Sequence, residues 1–341
     1  MPATPERPGV VSRAGIDVIR LGGNLGAEIR GVDLRRPLSD EQFEVIHEAF
    51  VRHEVIVLRD QDITLEQQKV FARRFGDLSI HPFSPNLDDQ REVIVLDYSA
   101  DNPPALTDQW HADETFRAAP PMATVLRARV VPAYGGDTLF SSMTAAYTGL
   151  SERMKQYIHG LEALHDFKPW RPLFTSSERH QAKLRELEQQ FPNPWHPVVR
   201  VHPVTKRRVL NVNPQFVVKL RGLKDDESQT ILQYLYDRAK IPEYQLRVRW
   251  APDTVLMWDN RSVQHYAPHD GSPHHRRRCG ARRERRVHAR GRRRAAARRP
   301  RPEARGDRQG ADARIRTLLM RTPPMHTPLI RTDRNTPETS A

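Results

Sequence analysis

The sequence predicts a mixed α+β domain over residues 16–275, followed by a disordered, arginine-rich tail. Three observations lead to this fold class. Short β-branched runs alternate with capped helical segments in the first part of the chain. Of the 341 residues, the 66 after His275 contain 21 Arg, no Lys and only six acidic residues. These 66 residues include no Phe, Trp or Tyr and only six Val, Leu or Ile, so we expect the tail not to bury a core.

The composition excludes two classes of protein. Lys and Arg total 55 against 42 Asp and Glu, but the excess lies in the tail and the domain itself is nearly neutral. The single cysteine and the lack of an apolar run of bilayer length exclude a disulfide-stapled secreted domain and a membrane protein. Residues 1–15 lack the apolar centre of a signal peptide, so we expect a disordered N-terminus and a cytoplasmic protein.

The N-terminal part of the domain is expected to alternate strands with helices. Ser39 is the predicted N-cap of a helix that ends near His53. Thr64 and Gln67 form a predicted capping box for a second helix, which we expect to stop at Gly76. Strands are predicted at 16–21, 27–32 and 55–58, the last of them apolar enough to be buried on both faces.

Strands dominate the remainder of the domain. β-branched and aromatic runs predict strands at 92–98, 123–131, 138–140, 245–250 and 254–258. Residues 198–213 are predicted to form a hairpin that turns near Thr205 and Lys206. Helical spacing and capping residues predict helices at 151–161, 176–190 and 225–240. No internal repeat of fixed period is found.

The first chemical motif is His111-Ala112-Asp113. On an extended backbone, residues two apart point to the same side, so the imidazole and the carboxylate could bind one metal ion together. With 15 His and 42 acidic residues, roughly two such pairs are expected by chance, so this motif alone is weak. A third ligand is needed before the pair indicates a metal site.

His265 is the candidate third ligand, because it follows closely after the predicted strand at 254–258. Two imidazoles and one carboxylate form the facial triad of non-haem Fe(II) oxygenases, which leaves open positions for a 2-oxo acid and dioxygen. A structural zinc site would use four protein ligands and favour cysteine, whereas the single cysteine, Cys279, lies in the tail. The alternative is a hydrogen-bonded polar cluster without a metal.

With these motifs, the chain resembles the taurine dioxygenase family of Fe(II)/2-oxoglutarate-dependent oxygenases. The resemblance starts near Ile16 and extends to about Arg276, roughly four-fifths of the chain. It rests on the triad and on runs that occur in the expected order and spacing: Pro37-Leu38-Ser39-Asp40, Leu58-Arg59-Asp60-Gln61, Phe75-Gly76-Asp77-Leu78, His81-Pro82, Gly135-Gly136-Asp137-Thr138-Leu139-Phe140 and the run from Trp258 to Ala267.

The resemblance implies a double-stranded β-helix, or jelly roll, with flanking helices. It implies Fe(II) held by His111, Asp113 and His265, with 2-oxoglutarate and dioxygen as cosubstrates. Thr138 and Arg276 match the family residues that hold the distal carboxylate of 2-oxoglutarate, a task that suits the planar fork of a guanidinium. The family is also expected to form homo-oligomers.

The expected reaction is the hydroxylation of the carbon next to sulfur in a taurine-like alkylsulfonate. The product would collapse to an aldehyde and sulfite, while 2-oxoglutarate gives succinate and carbon dioxide. His81 matches a family histidine that contacts the sulfonate. Among the large aromatic residues, which usually fill cores, we assign a pocket role to Phe167 alone.

Three positions depart from the family pattern and leave the substrate open. Ser84 stands where taurine-specific members have a tyrosine, and Thr107 where an asparagine is typical. Both residues belong to the expected substrate-binding set. Gly280 takes the place of a second arginine that helps to bind the substrate anion. An alkyl sulfate ester is therefore an alternative substrate.

The tail from residue 276 is interpreted as a frameshift product. Arg, Ala, Pro and Gly dominate it for some thirty residues where the family continues with a strand, a composition that GC-rich DNA gives when read out of frame. Alternatively, a genuine basic tail could bind nucleic acid. A fold that binds metal but has lost its activity, because the C-terminal strand is missing, is a further alternative.

Overall fold

The computed structural model describes residues 9–83, 90–98, 108–167, 171–172, 174–175, 177–268 and 313–320. The α-helices are α1 Asp40–His53, α2 Leu65–Arg73, α3 Met143–Thr148, α4 Glu152–Ile158, α5 Glu178–Gln190 and α6 Asp225–Tyr236. The strands are β1 Val10–Arg13, β2 Ile16–Arg20, β3 Ala27–Arg30, β4 Val55–Leu58, β5 Leu78–Ser79, β6 Val93–Tyr98, β7 Ala123–Val130, β8 Thr138–Ser142, β9 Glu162–His165, β10 Trp195–Pro197, β11 Val199–Val201, β12 Arg208–Leu210, β13 Val217–Leu220, β14 Gln245–Val248, β15 Val255–Asp259, β16 Val263–Tyr266 and β17 Ala313–Met320. Within these ranges, no helix has the length and apolarity needed to cross a bilayer.

Helices α1 and α2 begin where the sequence predicts. Ser39 and Thr64 are their N-caps, and in each case a Gln at the third helical position completes a capping box. Both helices pack their apolar faces on one side of the larger sheet. The second helix ends at Arg73, three residues before the predicted stop at Gly76.

The larger sheet has nine strands in the order β1-β2-β3-β4-β15-β7-β17-β5, and β6 also pairs with β17. Its central strands β4, β15 and β7 are buried on both faces. Alternate residues such as Ile56 and Met257 contact the helices, whereas Val57 and Trp258 lie in the apolar cluster on the opposite face. This double burial explains why Val55–Leu58 is a continuous apolar run, as predicted.

A second, three-stranded sheet in the order β14-β8-β16 covers the other face of the large sheet. Residues of both sheets share one apolar cluster, in which Phe140 and Val263 of the small sheet meet Leu126 and Trp258 of the large one. The structure is therefore a mixed α and β fold in which two sheets face each other. Each sheet contributes part of the site described below.

The predicted hairpin at 198–213 is present and its strands are shorter than expected. Strands β11 and β12 pair from Val199 with Leu210 to Val201 with Arg208. Lys206 adopts φ +58° in the turn. The sequence analysis missed six short strands of two to four residues with weak alternation: β1, β5, β9, β10, β13 and β16. The expectation of a disordered N-terminus is wrong for Val10–Arg13, which form β1 and pair with β2.

The expectation of a disordered tail is wrong for residues 313–320. These residues form β17, which pairs antiparallel with β7, β5 and β6. Leu318 and Met320 are fully buried in the cluster beneath the helices. The low apolar content of the tail as a whole hid this strand, because its apolar residues are concentrated at four positions: Ile315, Leu318, Leu319 and Met320. The strand pairs with an edge of β7 that would otherwise be unpaired. The rest of the tail lies outside the described residues.

Candidate metal centre and active site

The two candidate histidines meet across a β-bridge. The backbone N–H of His111 donates to the carbonyl of His265 at 3.1 Å, and the N–H of His265 donates back at 2.8 Å. The adjacent rings of Trp110 and Tyr266 stack at 5.6 Å on the same pair of segments. His265 lies within strand β16, rather than in a loop after the strand at 255–259. Two backbone hydrogen bonds thus join residues that lie 154 positions apart in the sequence.

A tight turn places Asp113 beside this bridge. Glu114 adopts φ +50°, and Arg117 pairs with its carboxylate while donating to the carbonyl of Ile80 at 2.7 Å. The hydroxyl of Thr115 lies 2.9 Å from Nδ1 of His165, the last residue of β9. The turn that carries Asp113 is thereby fixed on two sides by buried polar contacts.

Three donor atoms converge at this point. His111 Nε2 lies 3.8 Å and His265 Nε2 3.6 Å from Asp113 Oδ1. One ligand atom from each of the three residues lies within 4.8 Å of the others. Two ligands on a common ion with bonds of ~2.1 Å are separated by roughly 3–3.5 Å, so small side-chain shifts would suffice for binding. The residues that the sequence singled out therefore do lie together.

Burial keeps both imidazoles neutral. It lowers the pKa of His265 to about 3, with a further contribution from the neighbouring His111, and it also lowers the pKa of His111. His111 Nδ1 lies 2.8 Å from the carbonyl of Gln109, so this nitrogen carries the proton and Nε2 keeps its lone pair. Neutral imidazoles with free Nε2 lone pairs are the form that binds a metal ion.

Asp113 stays ionised although it is buried. Burial by itself would raise its pKa. In the acidic range where Asp113 would take up a proton, however, His265 and His111 become positively charged, and this charge and a hydrogen bond from Thr124 hold the pKa below its ordinary value. The centre therefore combines two neutral imidazoles with a single carboxylate. Two imidazoles and one carboxylate are a donor set that suits Fe(II), so the three residues fit a non-haem iron site.

The two carboxylate oxygens of Asp113 have different neighbours. Oδ1 faces the histidines, whereas Oδ2 accepts a hydrogen bond from the hydroxyl of Thr124 on β7. Asn260 donates to that hydroxyl at 2.9 Å, and its own Oδ1 accepts from the indole N–H of Trp258 at 3.0 Å. The sequence reading missed Thr124 and Asn260. A polar residue on the inner face of a buried strand was the available signal for Thr124.

The ring of His265 is held mainly by aromatic packing. Trp258 lies 4.8 Å and Phe140 6.2 Å from it, measured between ring centroids. Phe140 is directly opposite His265 in the β8–β16 register. Within the described part of the chain, His265 Nδ1 is buried without a hydrogen-bond partner. The large and the small sheet thus each place an aromatic ring against this ligand.

The turn between β15 and β16 is fixed by a buried charged network. Asp259 accepts three hydrogen bonds from Arg261, one of them from its backbone N–H, and one from His202. Burial would raise the pKa of Asp259, but these partners hold it far below its usual range. Arg200 donates to the carbonyls of Asn260 and Arg261 at 2.7 and 2.8 Å. The network locates Asn260 firmly behind the metal centre.

His81 is buried close to the triad. The backbone N–H of Phe83 donates to His81 Nδ1 at 3.1 Å, so the proton of the neutral ring is on Nε2. Burial lowers the pKa of His81 to about 4, against the opposing influence of Asp113. His81 can therefore offer a neutral N–H donor in the region of the metal centre.

Thr138 begins β8, on the same face of the strand as Phe140. It is buried, and its hydroxyl accepts a hydrogen bond from the indole N–H of Trp250 at 3.0 Å. This contact orients the hydroxyl so that its own hydrogen remains available to an acceptor. Trp250 was missed as a partner because it is the last residue of the strand predicted at 245–250 and gives no motif of its own.

Phe167 is fully buried in an aromatic cluster formed by Phe83, Phe116, Phe167, Phe174, Phe191 and Phe216, with Leu184 and Leu187. Phe83 links this cluster to His81, with ring centroids 6.0 Å apart. Phe216 approaches His111 at 6.4 Å. Ser84, Thr107 and Arg276 lie outside the described residues, so their predicted roles stay predictions.

Comparisons of the sequence and the structure with known proteins indicate the same family as the geometry of the site. The model of the family "Taurine catabolism dioxygenase TauD, TfdA family" matches residues 17–281. An alpha-ketoglutarate-dependent sulfate ester dioxygenase from Pseudomonas putida is 37% identical over 262 residues, which cover 75% of this chain and 85% of that protein.

Two further proteins are similar. An alkylsulfatase from Acinetobacter baylyi is 32% identical over 262 residues, covering 75% of this chain and 81% of that protein. The crystal structure of a taurine dioxygenase from Burkholderia xenovorans superposes with a TM-score of 0.68 at 28% identity, covering 90% and 89% of the two chains. The chain belongs to the TauD/TfdA family and is a 2-oxoglutarate-dependent dioxygenase.

Proposed function

We propose that the protein is an Fe(II)- and 2-oxoglutarate-dependent dioxygenase that hydroxylates the carbon next to sulfur in a taurine-like alkylsulfonate. The observation that carries this proposal is the convergence of His111, Asp113 and His265 in a chain of the TauD/TfdA family. Hydroxylation at that carbon lets the C–S bond break, so the products are an aldehyde and sulfite. Succinate and carbon dioxide form from the cosubstrate.

In this proposal, His111 and His265 bind Fe(II) through Nε2 and Asp113 binds it through Oδ1. When bound, the iron supplies the oxidising chemistry with dioxygen and 2-oxoglutarate. The protein contributes one negative charge from Asp113, so the dianionic cosubstrate is attracted to a site with net positive charge. Trp258 of the large sheet and Phe140 of the small sheet pack against His265 and shield its ring from water. We infer that the two sheets are the walls of a jelly roll.

Thr138 and Arg276 are proposed to hold the distal carboxylate of 2-oxoglutarate. The support for Thr138 is its burial on the inner face of β8 and the hydrogen bond from Trp250, which leaves its hydroxyl hydrogen directed elsewhere. Arg276 is assigned only by its position eleven residues after His265. A guanidinium would form two parallel hydrogen bonds with the carboxylate.

The sulfonate is proposed to bind near His81, whose neutral ring presents Nε2–H. Phe83 and Phe167 would provide the neighbouring apolar wall for the carbon chain, and Ser84 and Thr107 would border the anionic group. Because the described wall beside His81 is aromatic, we expect alkylsulfonates with longer apolar chains to bind more tightly than taurine, whose ammonium group prefers water.

An alkyl sulfate ester is the second candidate substrate. It is supported by the similarity to the Pseudomonas putida sulfate ester dioxygenase and to the Acinetobacter baylyi alkylsulfatase. Hydroxylation of the carbon that bears the ester oxygen would release sulfate and an aldehyde. Both candidates place a tetrahedral sulfur anion and an adjacent C–H bond in the same site.

Product analysis tests the proposal. The purified chain is supplied with Fe(II), 2-oxoglutarate and air, together with taurine, hexanesulfonate, hexyl sulfate or a phenoxyacetate, and succinate, sulfite and sulfate are quantified. We expect succinate and sulfite in equal amounts from a sulfonate. Sulfate release from hexyl sulfate alone would favour the second candidate, and turnover of the phenoxyacetate alone would refute both.

A further inference from the structure

The metal ligand Asp113 is held by a one-directional chain of hydrogen bonds that starts at Trp258. An indole can only donate, so the N–H of Trp258 fixes the side-chain oxygen of Asn260 as the acceptor at 3.0 Å. The backbone N–H of Asp113 approaches the same oxygen at 3.3 Å. The amide group of Asn260 must therefore present its NH₂ to the other side.

That NH₂ donates to the hydroxyl oxygen of Thr124 at 2.9 Å. Since this oxygen already accepts from Asn260, the hydroxyl hydrogen is directed to Asp113 Oδ2. The direction of each hydrogen bond in the chain from Trp258 through Asn260 and Thr124 to Asp113 is thus determined by the bond before it. Thr124 and Asn260 are 1% and 3% exposed, so water does not compete for these bonds.

We propose that Thr124 and Asn260 are positioning residues that restrict Asp113 to one ligating oxygen. Thr124 occupies Oδ2, and Oδ1 alone remains directed at the Nε2 atoms of His111 and His265. A carboxylate that bound through both oxygens would take up a further coordination position. The relay therefore keeps a position free for the cosubstrate and raises metal affinity by pre-orienting the ligand.

The surroundings of Asn260 support this role. Arg200 donates to its carbonyl at 2.7 Å, and the adjacent Asp259 is paired with Arg261 and His202. These contacts fix the backbone of Asn260 by groups that do not contact the metal centre. The side chain therefore has a rigid base from which to orient Thr124.

The inference rests on the proposed iron site, and its test measures metal binding without any turnover. The probe is Mn(II) alone, with the free ion quantified by its electron paramagnetic resonance signal. We expect Thr124→Val, which keeps the shape and removes the hydroxyl, to raise the Mn(II) Kd by about ten- to a hundredfold. Thr124→Ser, which keeps the hydroxyl, should stay within about threefold of the wild type.

Thr254→Val is the matched control, because Thr254 is also buried, and its hydroxyl accepts hydrogen bonds from Arg59 and from the backbone of Ala251. It should lower thermal stability without changing the Mn(II) Kd. The double variant Thr124→Val/Asn260→Ala distinguishes a relay from two separate effects. If Asn260 acts only through Thr124, and not through its 3.3 Å contact with the backbone N–H of Asp113, removing it in the Thr124→Val background should change the Kd by less than about twofold. A larger change would contradict the relay.

The possible outcomes distinguish the proposed metal site from the proposed positioning role of Thr124 and Asn260. A wild-type chain that does not bind Mn(II) would overturn the proposed function itself. A wild-type chain that binds Mn(II), with Thr124→Val equal to it in Kd, would overturn the positioning role alone. A Thr124→Ser variant as weak as Thr124→Val would also contradict it, since the hydroxyl would then not be the relevant group.

Discussion

At the scale of single residues, the metal centre depends on protonation states that burial imposes. Burial lowers the pKa of His265 to about 3 and lowers that of His111, so both rings are neutral ligands at physiological pH. Thr124, Asn260 and Gln109 then determine which atoms of Asp113 and His111 face the proposed metal site. Ligand identity comes from three residues, but ligand orientation comes from their neighbours.

Thr138 gives a test of cosubstrate binding that is separate from the metal. We expect Thr138→Val to weaken 2-oxoglutarate binding by about tenfold or more, because it loses a hydrogen bond to a charged carboxylate worth ~1.5–3 kcal/mol. Thr138→Ser should bind like the wild type. Calorimetric titration of the Mn(II)-loaded protein with 2-oxoglutarate measures this change. An unchanged Kd in Thr138→Val would show that its hydroxyl serves only Trp250.

His81 gives a test of the substrate pocket. Because its pKa is lowered to about 4, the ring is neutral between pH 6 and 8 and carries its proton on Nε2. We expect His81→Ala to raise the KM for the sulfonate by about tenfold, the loss of one hydrogen bond to an anion, with an unchanged Mn(II) Kd. Steady-state kinetics at pH 6, 7 and 8 should give the same ratio of KM values. A ratio that falls steeply with pH would mean that His81 binds the substrate as a cation.

Much of the centre could be predicted from the residues themselves. The His111 and Asp113 pair and the distant His265 were predicted, and the structure brings them together. Thr124 and Asn260 were not, because a hydrogen-bond chain between neighbouring strands and the turns beside them leaves no spacing pattern in the sequence. Local motifs identify ligands, whereas the partners of those ligands are set by strand register.

At the scale of secondary structure, capping residues and apolar runs predicted most helices and strands of the central layers. The capping boxes of α1 and α2 were confirmed because their hydrogen bonds are local in sequence. Strands of three or four residues, such as β9 and β13, depend on pairing with remote segments and were missed. The C-terminal end of α1 holds a feature that the sequence did not indicate.

That feature is Glu54, which follows α1 in the left-handed conformation at φ +66° and is only 1% exposed. Arg207, itself half-exposed, lies 3.0 Å from its carboxylate. Burial raises the pKa of Glu54 to about 7, above the value of 4.5 that it has when unfolded. The protonated form is therefore favoured in the folded state, and stability is lost as the pH rises from about 4.5 to 7.

Glu54→Gln removes this ionisation and keeps the size of the side chain. We expect the free energy of unfolding of the variant to rise relative to the wild type by on the order of 2–3 kcal/mol between pH 4.5 and 8. Urea unfolding at a series of pH values measures the difference. Parallel stability profiles for the two proteins would show that the pair with Arg207 offsets the burial.

At the scale of the whole molecule, β17 joins the tail to the large sheet. It lies between β7 and the strands β5 and β6, and without it the edge of β7 would be unpaired. The frameshift interpretation stays a prediction. Re-reading the coding DNA after His275 in the other frames tests it.

Leu318 is the residue through which β17 should stabilise the molecule. It is fully buried in the cluster under α1 and α2, so Leu318→Ala is expected to cost about 2–5 kcal/mol of unfolding free energy. Leu21→Ala, which truncates an exposed leucine, is the comparison. Differential scanning calorimetry of both variants decides the point. Equal melting temperatures for Leu318→Ala and the wild type would contradict a structural role for the tail.

The measurement that tests the central claim most directly is succinate formation in the wild type and in Asp113→Ala, with Mn(II) binding followed in parallel. We expect the wild type to form one succinate for each sulfite in the presence of Fe(II), 2-oxoglutarate, air and an alkylsulfonate. Asp113→Ala lacks the single anionic ligand, so it should bind no Mn(II) and form no succinate. Succinate formation at the wild-type rate in Asp113→Ala would contradict the assignment of the metal centre.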